Sequence, residues 1–229
     1  MFETIANWFA SNRQLFNIMM DGLWETIILT FWSTLFGYLL GTPLGVLLVV
    51  TDKGGIKENA PVNQIMGTIV NVLRSVPFLI LIVMLFPLTR IVMGTTLGVK
   101  AAIFPLVICA FPYIARMVES SLKEVDAGVI EAAQSMGATP MQIVFKVILP
   151  EAIPSLINGA AICMTTILAY TAMASAAAGG GLGSVAITYG LNQQRYDIMY
   201  AASIMLVVLV QIITVTGTVL TRKKDHRLR

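Results

Sequence analysis

Five runs of mainly apolar residues, each about twenty residues or longer, constrain this chain more than any other feature. They are Thr26–Val50, Ile65–Leu88, Leu97–Met117, Ile157–Ala178 and Ile198–Leu220. A hydrocarbon layer of about 30 Å is crossed by roughly 20 apolar residues of α-helix. Once five such crossings are placed in 229 residues, little chain is left for a separate soluble domain. The reading is therefore one transmembrane domain over residues 1–229. Composition supports it: 57% of the residues are hydrophobic and 12% charged, against about 25% charged in a soluble domain.

The alternation of period two expected of a membrane β-barrel is absent, so the buried backbone must be satisfied inside helices. The fold class is all-α with five transmembrane helices. Cys109 and Cys163 both fall inside apolar runs and read as packing residues, not as a disulfide or metal set. Glu3 precedes any Lys or Arg, so the N-terminus lacks the basic region of a cleavable signal. Ile5, Trp8, Phe9, Leu15, Phe16 and Met19 recur at helical spacing, which suggests a short amphipathic helix on the membrane surface or a loosely ordered tail.

Charge sets the orientation. Arg222, Lys223, Lys224, Arg227 and Arg229 follow the fifth run, Arg116, Lys123 and Lys146 lie between the third and fourth, and Lys53 and Lys57 between the first and second. The other side holds Arg13, Arg90, Lys100 and Arg195, and Arg74 falls within the second run. Basic loops stay in the cytoplasm, so the C-terminus is expected inside and the N-terminus outside. This asymmetry accounts for the net charge of +3 without a nucleic-acid partner, and leaves lipid headgroups as an added contact of the basic tail.

On that topology the longest loop, about residues 118–156, is cytoplasmic, and loops of this length are usually functional. Val125, Val129, Ala132, Ala133 and Met136 recur at three- and four-residue steps, the signature of an amphipathic helix. Asp126 suits its N-cap and Gly137 a left-handed end. Thr139 and Pro140 then open a second helix, expected to stop at Pro150. Two short helices joined at a glycine make a compact knob. Its small residues would let another protein approach closely, but a self-contained cap on the bundle explains the pattern equally well.

The spacing resolves this by resemblance. Glu131-Ala132-Ala133, Gly137, Val147 and Leu149-Pro150 are similar to the loop motif of permeases of ATP-binding-cassette importers: Glu-Ala-Ala, three residues, Gly, nine residues, Ile, one residue, Leu-Pro. Val147 at the Ile position is a conservative departure. In that family the first helix of this loop docks on an ATPase subunit. The resemblance carries an ATPase-coupling role to Glu131, Ala132, Ala133 and Gly137, with Leu149 and Pro150 completing the motif. Further strings resemble the methionine-import permeases: Trp24-Glu25-Thr26, Arg74-Ser75-Val76-Pro77-Phe78, Ala115-Arg116-Met117-Val118-Glu119, Met136 to Val144, and Gly179 to Gly183.

The resemblance implies two copies of the permease, two copies of a separate ATPase that binds the ATP, an external substrate-binding lipoprotein, and a place in the bacterial inner membrane. It implies no cofactor in this chain and no enzymatic activity of its own.

Gly37, Gly41 and Gly45 form small-xxx-small steps on one helix face and read as close packing within the subunit, or less readily as a dimer seam. Arg74 is a charge in an apolar run, where insertion at mid-membrane costs at least about 2.5 kcal/mol. It is read as structural, paired with a carboxylate such as Glu119, or else as lining the translocation route. Gly159, Thr166, Tyr170, Met173 and Ala177 share a face of the fourth run with Cys163 at its edge. Periodicity alone leaves packing and lining level, and the family pattern favours lining for Thr166, Tyr170 and Met173.

The run Gly179–Gly183 lacks the Lys-Ser/Thr of a phosphate loop and reads as a flexible external turn. His226, the single histidine, reads as solvated. The expected function is that of an importer permease for an amino acid, methionine foremost. Another amino acid or small peptide, or a channel or structural membrane protein without an ATPase, are the alternatives.

Overall fold

The computed structural model describes residues 13–177 and 179–224. Ile5, Trp8 and Phe9 of the proposed surface helix, and His226, Arg227 and Arg229 of the tail, lie outside the described residues. Within them the chain is helical and no strand occurs.

Four helices are long and apolar enough to cross a membrane. They are α1 (Arg13–Thr51), α5 (Val99–Lys123), α9 (Ile153–Ala174) and α11 (Tyr196–Lys224). Between them lie α2 (Ala60–Ser75), α3 (Phe78–Met84), α4 (Phe86–Met93), α6 (Ala127–Ser135), α7 (Pro140–Ile143), α8 (Leu149–Glu151) and α10 (Gly181–Val185). The 39 residues of α1 make a helix of about 58 Å at 1.5 Å per residue, well beyond its apolar run. Its start corrects the surface-helix reading for the part described. Leu15 and Phe16 belong to α1 itself, and Met19, 1% exposed, packs with Val185 and Ile198.

The second apolar run is not one straight span. It breaks between α2 and α3, which are bent by 99°. The cause is Pro77: the residue before a proline is pushed out of the α region, and Val76 takes φ −80°, ψ 123°. The bent pair can count as a fifth crossing.

Contacts divide the chain into two compact units. The first draws on the chain up to Ser33, Phe78–Leu106 and Ile167–Gln211; the second draws on Thr34–Pro77, Val107–Thr166 and the chain from Ile212.

In the second unit the glycine stripe of α1 is a packing seam with α5. A Cβ on Gly41 would stand 2.7 Å from the Phe111 carbonyl oxygen, and one on Gly45 would stand 2.6 Å from that of Ala115. Only glycine lets the two backbones approach this closely. Beside the seam, the Asn63 amide of α2 donates to the Leu48 carbonyl at 2.7 Å and to Thr51 Oγ1 at 3.2 Å.

In the first unit the glycine run is not a flexible turn. Gly179, Gly181, Leu182 and Gly183 are buried. The Gly181 N–H donates to Glu25 Oε2 at 2.7 Å, and the Leu182 N–H donates to Thr26 Oγ1 at 2.9 Å. Two side chains of α1 thus cap the start of α10, taking up N–H groups that a helix leaves orphaned.

Candidate functional site

The elbow between α5 and α9 is built from local sequence signals. Asp126 Oδ1 accepts from the Gly128 N–H at 2.8 Å and starts α6. The helix ends in a Schellman turn: Gly137 has φ +78°, its N–H reaches the Gln134 carbonyl at 2.9 Å, and the Ala138 N–H reaches that of Ala133 at 3.1 Å. Thr139 and Gln142 then form a capping box, the Gln142 N–H donating to Thr139 Oγ1 at 3.4 Å and the Thr139 N–H to Gln142 Oε1 at 2.9 Å.

Pro150 does not stop this second helix. After α7 the chain passes through one π-turn, Val144–Ile148, in which the Leu149 N–H bonds the Val144 carbonyl, and continues into α8. This single wider i→i+5 turn within a helical run carries the chain into Pro150, which lacks an N–H. Ala152 still donates to the Ile148 carbonyl at 3.0 Å and accepts from the Leu156 N–H at 2.8 Å, so the chain runs on into α9.

The sequence motif is presented in a consistent way. Ala133 is buried (4% exposed) and faces inward, where α6 packs on the π-turn together with buried Ile143, Val144 and Ile148. Glu131, Ala132, Gly137 and Pro150 are exposed, and Leu149 is half-buried. Exposed Val129 and Met136 (81%) add apolar surface to α6 and its end. A cleft of about 280 Å³ lies between Ile130, Glu131 and Gln134 of α6 and the loop from Asp52 to Ile56. The exposed residues around these apolar side chains are polar or acidic, Asp126, Glu131 and Gln134 among them.

Behind the elbow lies an ionic network that the sequence did not reveal. Arg116 Nη1 donates to Glu119 Oε2 at 2.6 Å; its Nη2 donates to Asn71 Oδ1 at 2.9 Å and to the Gly67 carbonyl at 3.2 Å. Lys123 Nζ pairs with Glu119 at 2.9 Å and with Asp52 at 2.6 Å. Glu119, 8% exposed, therefore has Arg116 and Lys123 as partners, not Arg74 as its chemistry had suggested. The chain joins α2, α5 and the loop after α1. The hydrogen bond from Lys123 holds the Asp52 carboxyl below its ordinary pKa, with the Lys53 N–H adding to the effect.

Arg74 lies in the last turn of α2, exposed, with its guanidinium carbon 5.9 Å from the centroid of the Tyr113 ring. That is the outer limit of a cation–π contact. The Thr166 hydroxyl lies 3.5 Å from the Tyr113 hydroxyl, and its better bond, at 2.9 Å, goes to the Ile162 carbonyl one turn back. Arg74 and Thr166 are thus brought to one tyrosine in the second unit. Within the first unit Tyr170 stacks on Phe78 with centroids 4.8 Å apart and planes 13° apart, and Met173 is 41% exposed. Sequence reading missed Tyr113, and missed Phe78 as the ring on which Tyr170 stacks. Both sit in apolar runs where an aromatic side chain carries no signal of its own.

Four long apolar helices, with a folded elbow between α5 and α9, define the class as a membrane-embedded protein. The family comparison specifies it further: residues 41–229 match the model of the binding-protein-dependent transport system inner membrane component, and the chain belongs to that family. It is similar to the probable D-methionine transport system permease protein MetI of Vibrio cholerae, 49% identical and covering 99% of each chain. It is also similar to the D-methionine transport system permease protein MetI of Escherichia coli, 51% identical over 68% of this chain and 72% of that one. Among solved structures it resembles an inward-facing form of the MetNI methionine ABC transporter, with a TM-score of 0.90, 45% identity, and coverage of 91% of this chain and 97% of that one.

Proposed function

We propose that this chain is the transmembrane subunit of an ATP-driven importer of methionine, including its D form, and that two copies act with two ATPase subunits and an external binding protein. The observation that carries the reading is the near-full-length likeness to permeases named for D-methionine transport.

The bent pair α2 and α3 counts as one crossing, giving five spans with the N-terminus outside and the C-terminus cytoplasmic. The distribution of Lys and Arg between the two sides supports this. The chain acts as one permease domain and binds no cofactor; ATP is held by the partner.

Glu131, Ala132, Ala133 and Gly137 form the docking helix and its end, and the π-turn with Leu149 and Pro150 links them rigidly to α9. ATP binding moves the docked helix, and the spans exchange inward- and outward-facing packings. ATP shifts that equilibrium only as far as it favours one packing over the other.

Along the route, Arg74 offers a cation to the carboxylate of a passing amino acid. Thr166, whose proton goes to a backbone carbonyl, offers lone pairs to the ammonium. Tyr170 and Met173 offer the soft contacts that suit a thioether.

Uptake of labelled methionine in cells lacking the gene, with and without this chain restored, tests the proposal. Restored uptake that unlabelled D-methionine competes away is expected. Unchanged uptake, or restoration for a different amino acid alone, would overturn it.

A further inference from the structure

We propose that a groove beside the elbow is a binding site for a single anionic phospholipid. The groove has a volume of about 570 Å³, within the range of small-molecule sites. One wall comes from α1, through Pro43, Val46 and Leu47; the other comes from α7 and its π-turn, through Met141, Val144 and Phe145. Thr42, Thr139 and Lys57 are the polar residues of the lining. Met141 is 66% exposed and Phe145 60%, so much of the second wall is uncovered apolar surface, which water solvates poorly.

Two observations select the occupant. First, the groove continues the apolar face of α1. Phe36, Leu40, Pro43 and Leu47 follow one another at steps of four, three and four residues, which puts them on one side of a helix. All four are exposed. An acyl chain lying along this stripe reaches the groove without leaving hydrocarbon.

Second, the groove has a cation at its rim. Among the described residues no carboxylate lies within ion-pair distance of the Lys57 ammonium. An apolar channel open to the bilayer, closed by an unpaired lysine, fits an amphiphile with a negative headgroup. A neutral lipid would fill the groove but leave the ammonium without a counter-charge. Because the second wall is the segment that follows the docking helix, the bound lipid would brace the elbow against α1.

The test uses the complete transporter in nanodiscs with a phosphatidylglycerol that carries a diazirine in its acyl chain. After irradiation, labelled peptides are mapped by mass spectrometry. Adducts on peptides containing Val46 and Phe145 are expected. Unlabelled phosphatidylglycerol should displace them roughly five-fold better than phosphatidylcholine, the effect of about one lysine near an anionic headgroup. In Lys57→Gln that preference should fall to about one, while labelling of exposed Val215 on α11 stays unchanged. Lys57 is exposed, and the wild-type competition needs no variant.

Equal displacement by the two lipids would overturn the proposal. So would adducts at Val215 but none in the groove, or a disulfide between Phe145→Cys residues of two copies, which would assign the groove to a subunit interface.

Discussion

The conformation of Gly137 gives the most discriminating perturbation. Its φ of +78° costs a residue with a side chain about 1–2 kcal/mol, and a Cβ built there meets nothing within 4 Å. The penalty for Gly137→Ala is thus conformational, with no clash inside the chain to confuse it. Strain of that size lowers the population of the folded elbow by about 5–30-fold relative to its unwound form. Gly137→Val should lose more, because a β-branched residue is worse there. Gly137→Asn should lose little, since Asn enters the left-handed region readily.

The assay is methionine uptake in parallel with co-purification of the ATPase subunit. Val is expected to abolish both while membrane insertion stays normal, Ala to reduce them several-fold, and Asn to stay within about two-fold of wild type. Equal loss with Ala and Asn would refute the reasoning, because added bulk at a protein contact, not backbone strain, would then be the cause. So would an Ala variant indistinguishable from wild type.

Three other expectations follow from the packing and the ion pairs. Gly45→Ala drives a Cβ to 2.6 Å from the Ala115 carbonyl and 2.8 Å from Val118, so thermal unfolding of the complex should show a loss of about 1–3 kcal/mol. Val118→Ala should restore only part of it, and Gly37→Ala, whose nearest neighbour is the flexible end of Ile114 at 2.7 Å, should cost less than Gly45→Ala. Arg116→Met leaves buried Glu119 with one cation and removes the bonds to Gly67 and Asn71, a loss of about 1–3 kcal/mol by the same assay. Arg116→Lys should rescue it poorly, since one ammonium lacks the planar fork that reaches all three partners.

Asp52 gives a pH signature. Its lowered pKa means the pair with Lys123 stabilises the fold above the unfolded carboxyl value and ceases to do so as pH falls through the folded one. The difference in stability between wild type and Asp52→Asn should therefore be steady near neutrality and shrink below about pH 4. Exposure keeps it under about 1 kcal/mol, and high salt should reduce it.

Local chemistry was the most legible part of the sequence. Asp126, Gly137, Thr139 and Pro140 act on backbone groups a few residues away, and the structure places each in its expected cap or turn. The glycine stripe of α1 was legible for the same reason, because period and size are visible in one helix. What escaped depends on partners distant in sequence or on backbone geometry that composition does not record. Gly179–Gly183 looked flexible because Glu25 and Thr26, which hold it, lie more than 150 residues away. The bend within the second apolar run escaped because hydropathy overlooks what Pro77 does to Val76. Pro150 looked like a terminator because α-helical rules leave no place for a π-turn. Glu119 could have paired with any of several cations, and only the fold selects Arg116 and Lys123 over Arg74.

The central claim is that the elbow receives mechanical work from an ATPase that docks on it. Met136, 81% exposed at the end of α6, is the place to ask. A single cysteine there, with Cys109 and Cys163 replaced, can carry a photo-cross-linker in the complete transporter in membranes. The account predicts an adduct with the ATPase subunit whose yield changes when ATP is added. An elbow that labels only lipid or its own chain, with or without nucleotide, would contradict it.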